Sequence, residues 1–176
     1  MSAMPVPPVV LEVDGAPPVR LRVAGTGDWA LEQALSRVPD VAARTFLPAD
    51  LTEDQARAWS RHAAERYADG VSARYVLSAG PDHVPVGVAG LASLTSPVPS
   101  VFYALLPAGR GRGTVTRAVL ALTGWAHAYG YPQLDLVAVR GNTASEAVAR
   151  RAGFVLVGEE WHERSGAVVG RWRSVG

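Results

Sequence analysis

The segment between a predicted strand at 100–106 and a helix beginning near residue 114 is rich in glycine and arginine. It reads Arg110, Gly111, Arg112, Gly113 and Thr114. Glycine lets an anion approach the backbone, and a helix N-terminus offers unpaired N–H groups and the positive end of its dipole. The segment therefore predicts a cradle for an anion such as phosphate. A plain strand-to-helix turn and an Arg-Gly contact with nucleic acid are the alternatives.

The spacing of these glycines separates the segment from two other phosphate-binding motifs. It lacks the Lys-Ser/Thr ending of a nucleoside triphosphate loop and is shorter than G-x-G-x-x-G. Arg-Gly contacts with nucleic acid usually come from repeats in disordered segments, whereas this loop lies between two ordered elements. The net charge of +1 also argues against nucleic-acid and membrane partners.

Asn142 and Ser145 form a second polar group, between a predicted strand at 134–139 and a predicted helix at 143–152. The chain has no lysine, no isoleucine and a single asparagine, so Asn142 stands out against the composition. An asparagine before a helix can act as its N-cap, and a serine in the first turn can be a capping or surface residue. From residue types alone, these structural roles and a functional one both stay open.

Two kinds of chemistry are excluded or disfavoured by the composition. The chain has no cysteine, so disulfides, thiolate metal sites and cysteine nucleophiles are excluded. The histidines are scattered and lack the i±3 or i±4 partners of a metal pair, so we expect no metal. They are His62, His83, His127 and His162.

Hydrophobic periodicity predicts one α/β domain with a mixed sheet. The elements follow the order strand, helix, helix, three strands, helix, strand, helix and two strands. The length of 176 residues and the 48% hydrophobic content suit one core. Proline-rich residues 1–18 predict an N-terminal tail, residues 38–51 a loop, and residues 19–176 the single domain. Neither a signal peptide nor an apolar run of about 18 residues is present, so we expect a cytoplasmic protein.

Two motifs carry a family resemblance. The pattern Arg110-x-x-Gly113-x-Val115 resembles the Gln/Arg-x-x-Gly-x-Gly/Ala signature of the GNAT N-acetyltransferases. Asn142-x-x-Ser145, followed by Gly-Phe at 153–154, resembles the second half of that family in its RimJ/RimL form. The resemblance implies the GNAT fold: a mixed, mostly antiparallel sheet of about six to seven strands, flanked by about four helices.

The resemblance also implies a co-substrate, acetyl-CoA, and a set of residues that bind it. Leu105 and Leu106 are expected to pair with the pantetheine arm like an added strand, and Asn142 to lie near the pantetheine or its thioester. Ser145 is expected near the sulfur, where it could protonate the leaving thiolate. The CoA pyrophosphate is expected on backbone N–H groups of Arg110, Gly111, Arg112, Gly113, Thr114 and Val115.

The implied reaction is direct attack of a primary amine on the thioester, which needs neither a metal nor a protein nucleophile. The acceptor is a protein N-terminus or a small-molecule amine, and relatives of this form suggest a possible homodimer. The alternative function is an acyl-CoA-binding or sensor domain of the same fold that has lost its chemistry.

The chain departs from the family pattern at three positions. Val115 replaces a small residue in the cradle, Pro107 stands where some relatives carry a carboxylate base, and Ala149 stands where others carry a tyrosine acid. Ser145 is therefore the one acid the pattern offers, and the base stays unassigned. Tyr103 is expected to pack in the core, and Phe46 to lie on the acceptor side.

Overall fold

A sheet of eight strands runs through the computed structural model, which describes residues 6–163 and 165–176. The strands are β1 Val10–Val13, β2 Val19–Val23, β3 Ala73–Ala79, β4 Val84–Ala92, β5 Ser100–Leu105, β6 Gln133–Val139, β7 Val155–His162 and β8 Ala167–Val175. Their order across the sheet is β1-β2-β3-β4-β5-β6-β8-β7. Every neighbouring pair is antiparallel except β5 and β6, which are parallel.

Helices cover both faces of this sheet. They are α1 Trp29–Ser36, α2 Pro39–Arg44, α3 Glu53–Ala68, α4 Thr114–Ala128 and α5 Thr143–Arg151. The larger core cluster joins the sheet to α4 and α5 through side chains such as Leu122, Leu136 and Trp172. A smaller cluster, which includes Leu35 and Val88, joins the opposite face to α1, α2 and α3. Burying both faces of the sheet is what an α/β sheet of this kind requires.

The mixed α/β fold is confirmed, with slightly more strands than predicted. The extra strand, β1, lies within the predicted tail and pairs with β2 from Val10 opposite Arg22 to Val13 opposite Val19. Two tyrosine hydroxyls also fasten the chain ahead of β1, Tyr67 to the Pro7 carbonyl at 2.8 Å and Tyr75 to the Pro8 carbonyl at 2.7 Å. These partners are 60 and 67 residues apart in the chain, so local periodicity could not reveal them. Residues 1–5 of the predicted tail lie outside the described residues.

The extra helix, α2, falls where a loop was predicted at 38–51. Pro39 begins α2, because its fixed φ suits the first helical position and its missing N–H needs no partner there. Val38 before it is extended, as the residue preceding a proline prefers. Within the described ranges, no helix is long and apolar enough to cross a membrane.

Candidate active site

The parallel strands β5 and β6 separate soon after they meet. They pair at two positions, Ser100 opposite Asp135 and Val101 opposite Leu136. Both strands then continue, β5 to Leu105 and β6 to Val139. On its other edge β6 pairs with β8 over seven positions. The space between residues 102–105 of β5 and 137–139 of β6, here called the strand gap, therefore interrupts an otherwise continuous sheet.

Alternation along β5 decides which backbone groups face the strand gap. Leu106 donates its N–H to the Val86 carbonyl at 2.9 Å, and its own carbonyl accepts from Gly109 N–H at 3.0 Å. Because successive residues point their backbone groups to opposite edges, Leu105 and Tyr103 turn theirs into the gap. Leu106 therefore has both backbone groups bonded within the chain, whereas Leu105 turns its own toward the gap, and the pairing of either residue with the pantetheine arm stays a prediction.

The glycine loop follows β5 directly and ends at the start of α4. Gly111 and Gly113 have φ of 76° and 70°, in the left-handed region that favours glycine. Gly113 is the N-cap of α4 and supplies no side-chain cap. The first N–H groups of α4 precede any helical acceptor, so they stay available to a ligand. A carbon atom added at either glycine would meet nothing within 4 Å, so the loop opens outward.

The side chains of this loop have different roles. Arg110 donates two hydrogen bonds to Asp40 of α2, both at 2.9 Å, and a third to the Leu105 carbonyl at 3.1 Å. These bonds to the Arg110 guanidinium lower the pKa of Asp40. Arg112 is exposed and forms no ion pair in the part of the chain that the structure describes. Val115 is buried in the larger core cluster, so its bulk packs inside the protein instead of crowding the loop.

Asn142 and Ser145 lie beyond the end of β6. The Asn142 carbonyl oxygen accepts the Ser145 backbone N–H at 3.4 Å, which makes Asn142 the N-cap of α5. The other end of the same amide donates to the Ser145 hydroxyl oxygen at 3.0 Å. The structural role considered for Asn142 is therefore present, and it comes with a direct contact to Ser145.

Tyr103 of β5 reaches the same place from the other side of the gap. Its ring packs against the larger core cluster, as expected. Its hydroxyl is buried and has no hydrogen-bond partner among the described residues. Burial raises the pKa of this hydroxyl, and the nearby Ser145 side chain acts in the opposite direction. Sequence reasoning missed this apposition, because Tyr103 and Ser145 belong to elements that meet only in the folded sheet.

The carboxylates of α2, β6 and α5 are all paired with arginine. Asp40 is held by Arg110, and Asp135 accepts from Arg173 at 2.7 and 2.9 Å. Glu146 of α5 is bonded by Arg140 and Arg150. Each of these carboxylates is therefore held in an ion pair with a guanidinium group. Nowhere in the described ranges do three metal-binding side chains gather.

Two other predicted positions have clear structural explanations. Ala149 is fully buried, so the larger tyrosine that some relatives carry there would have no room. Phe46, expected on the acceptor side, lies in the α2–α3 loop, with its ring 5.8 Å from that of His162 at the end of β7. That contact joins two segments on the same side of the molecule.

The fold is thus a mixed eight-stranded sheet with one separated parallel pair and a glycine loop at the end of one of those two strands. A sequence model of the acetyltransferase (GNAT) domain matches residues 19–155. The chain therefore belongs to the GNAT acetyltransferase family, and this membership makes it an acyltransferase.

Solved structures of the family share the fold. The chain is similar to the RimL ribosomal L7/L12 alpha-N-protein acetyltransferase in complex with coenzyme A, at 18% identity and a TM-score of 0.81, covering 94% of this chain and 98% of the other. It is also similar to an acetyltransferase from Salmonella typhimurium that modifies the N-terminal serine of ribosomal protein L7/L12. The identity is 19%, the TM-score is 0.78, and the match covers 98% of this chain and 98% of the other. A third similar structure is the microcin C7 self-immunity acetyltransferase MccE in complex with acetyl-CoA and AMP. The identity is 14%, the TM-score is 0.80, and the match covers 90% of this chain and 92% of the other. No curated protein matches the sequence significantly.

Proposed function

We propose that the chain transfers an acetyl group from acetyl-CoA to a primary amine, and that the amine is an α-amino group. The observation that carries the proposal is the strand gap. Its β5 edge presents backbone groups of Tyr103 and Leu105 that have no strand partner there. The pantetheine arm has two amides in an extended chain, so it can add to this edge as a short strand.

The glycine loop supports the same donor. It lies directly after Leu105, where the pyrophosphate end of a pantetheine bound in the gap would arrive. There the free N–H groups at the start of α4 and the positive end of its dipole favour a phosphate. Arg112 adds an exposed guanidinium beside them, whereas the Arg110 side chain serves to hold the loop to Asp40.

In the proposed reaction the amine nitrogen attacks the thioester carbonyl carbon, and the C–N bond forms as the C–S bond breaks. Ser145 gives its hydroxyl proton to the leaving sulfur, with Asn142 holding its oxygen at 3.0 Å. The proton of the amine passes to water. The carboxylates of Asp40, Glu146 and Asp135 are each paired with arginine, and we assign none of them as the base.

With no base assigned, an α-amino group is the favoured acceptor. At pH 7 about 9% of an α-amine with a pKa near 8 is neutral, against about 0.04% of a lysine side chain with a pKa near 10.4. The fraction ready to attack differs by about 200-fold. The similarity to acetyltransferases described as acting on ribosomal protein N-termini points in the same direction.

Thermal unfolding with and without acetyl-CoA tests the donor. Ligand at about 100 times its Kd adds about 2.7 kcal/mol, or roughly 5–11 °C in Tm for a domain of this size. Thiol release with a short peptide then tests the acceptor. A peptide with a free α-amine is compared with its Nα-blocked counterpart that contains one lysine. We expect release with the first peptide only.

The outcomes separate the candidate functions. No Tm shift with millimolar acetyl-CoA, free CoA or longer acyl-CoAs would reject the proposed site. A clear shift without thiol release from any amine would identify the non-catalytic acyl-CoA-binding domain. Equal release with both peptides would remove the α-amine preference and leave the acetyl transfer intact.

A homodimer is a separate part of the proposal. β7 is an edge strand, paired with β8 on one side, and it exposes Val155 and Trp161. An open edge with apolar side chains favours pairing with another chain. Sedimentation equilibrium tests this part, and a single monomeric species at micromolar concentration would reject it.

A further inference from the structure

The buried hydroxyl of Tyr103 is unexplained by packing. Phenylalanine would fill the same space in the larger core cluster without burying a polar atom, and a buried hydroxyl without a partner is unfavourable. The hydroxyl lies beside Ser145 and just past the last β5–β6 pair. Its position at the strand gap is therefore the feature to explain.

Hydrogen-bond accounting at Ser145 gives the explanation. A serine hydroxyl has one O–H to donate and two lone pairs to accept with. The Asn142 amide nitrogen uses one lone pair, at 3.0 Å. The orientation of that amide is fixed, because its other end accepts a backbone N–H, which can only donate. One lone pair and one O–H of Ser145 remain.

We propose that Tyr103 is a positioning residue, whose hydroxyl donates to the second lone pair of Ser145 and so turns the Ser145 O–H into the strand gap. With both lone pairs occupied by donors, the Ser145 hydrogen has no competing direction inside this cluster. It then points where the thioester sulfur arrives. Hydrogen bonds at catalytic groups often tighten only when substrate is bound, which fits a hydroxyl that lies close to Ser145 without a hydrogen bond to it.

This inference rests on the proposed function and adds the residue that directs its acid. Tyr103 does not touch the sulfur, and it neither gains nor loses a proton over the reaction. The proton on the sulfur comes from Ser145, and Ser145 recovers one from water after the products leave. The Ser145 orientation should therefore affect turnover and leave ground-state binding of acetyl-CoA unchanged.

The test is a double-mutant cycle on turnover with Tyr103→Phe and Ser145→Ala. We expect Tyr103→Phe to lower kcat about tenfold, the value of roughly one net hydrogen bond, with KM for acetyl-CoA unchanged. In the Ser145→Ala background the same change should have no further effect, because its partner is gone. The Tm of Tyr103→Phe should equal or exceed that of the wild type.

Tyr131→Phe is the matched control. Tyr131, between α4 and β6 in the chain, also has a buried hydroxyl, but this hydroxyl donates to the Leu94 carbonyl at 2.9 Å. Removal of the Tyr131 hydroxyl should lower Tm and leave kcat unchanged, which is the reverse of the pattern expected for Tyr103→Phe. The two variants together separate a structural hydroxyl from a positioning one.

The possible failures are distinguishable. A wild-type protein that releases no thiol with any amine would reject the proposed function and, with it, the role of Tyr103. An active wild type with equal kcat for Tyr103→Phe would reject only the positioning role. Losses that multiply in the double variant would also reject it, because they would show that Tyr103 acts independently of Ser145.

Discussion

Helices α3 and α4 are of similar length, but their N-termini are completed in different ways. At α3, the Thr52 hydroxyl accepts the Gln55 N–H at 3.3 Å and the Gln55 side chain accepts the Thr52 N–H at 2.9 Å. At α4, the N-cap is Gly113, in a left-handed conformation and without a side-chain cap. At α3 the side chains of Thr52 and Gln55 bond two backbone N–H groups of the helix start. At α4 no side chain does so, and the first N–H groups are left to solvent or a ligand.

The difference shows how the chain separates stability from binding. A capping side chain stabilises its helix by about 1 kcal/mol relative to alanine, whereas Gly113 supplies no side-chain bond at the place where the proposed pyrophosphate would bind. Helix α5 is intermediate, since Asn142 caps it and also contacts Ser145. The four predictions below alter these helix starts and their supports one at a time.

The largest effect is expected from Gly113→Asp. A carboxylate beside a pyrophosphate should weaken acetyl-CoA binding by at least about 100-fold, since two like charges 4 Å apart repel by several kcal/mol near a protein surface. The measurement is the acetyl-CoA-induced shift in Tm, which should disappear. Gly113→Ala is the control, because it adds the strain of a side chain at positive φ without the charge. Equal losses in both variants would mean that backbone shape, and not charge, limits binding.

Asn142 allows its two roles to be separated. Asn142→Asp keeps an oxygen for the Ser145 N–H but loses the donor to the Ser145 hydroxyl, so kcat should fall about tenfold with little change in stability. Asn142→Ala removes both contacts and should also lower the free energy of unfolding by about 1 kcal/mol. Urea unfolding and thiol release are measured on the same preparations. Full turnover in Asn142→Asp would show that the amide contact to Ser145 is unimportant.

Thr52→Ala should affect stability alone. Loss of the α3 cap is expected to lower the free energy of unfolding by about 1 kcal/mol, with the acetyl-CoA shift and kcat unchanged. Thr52→Ser retains the capping oxygen and should behave as the wild type. A reduced acetyl-CoA shift in Thr52→Ala alone would contradict the division of roles between α3 and α4.

The smallest effect is expected from Asp40→Asn, which breaks the ion pair to Arg110. Both side chains are about two-fifths exposed, so the pair should contribute less than about 1 kcal/mol at pH 7. Because Arg110 lowers the pKa of Asp40 in the folded chain, the contribution is present above the unfolded pKa of about 3.9 and is lost as pH falls through the lower folded value.

Urea unfolding at several pH values measures this contribution. The wild type and Asp40→Asn should differ at pH 7 and converge in acid, below about pH 4. A difference that persists unchanged at low pH would show that Asp40 stabilises the chain by something other than its charge.

The sequence alone predicted the features that are decided within a few residues. The glycine loop, the helix beginning near residue 114 and the N-cap role considered for Asn142 all depend on residue type and short spacing, and the structure contains them. The family motifs at 110–115 and 142–154 are equally local. Features of this kind depend on residues that are only a few positions apart, so they can be predicted directly from the sequence.

Other features depend on partners far apart in the chain. Arg110 binds Asp40, which is 70 residues away in the chain. Tyr103 and Ser145 lie beside each other across the strand gap. Strand β1 forms by pairing with the edge of β2. The direction of the Leu106 N–H could not be predicted from the sequence either, because it follows from the register of β5 against β4. Residue types allow many such pairings, and strand order and register select among them only when the whole sheet has formed.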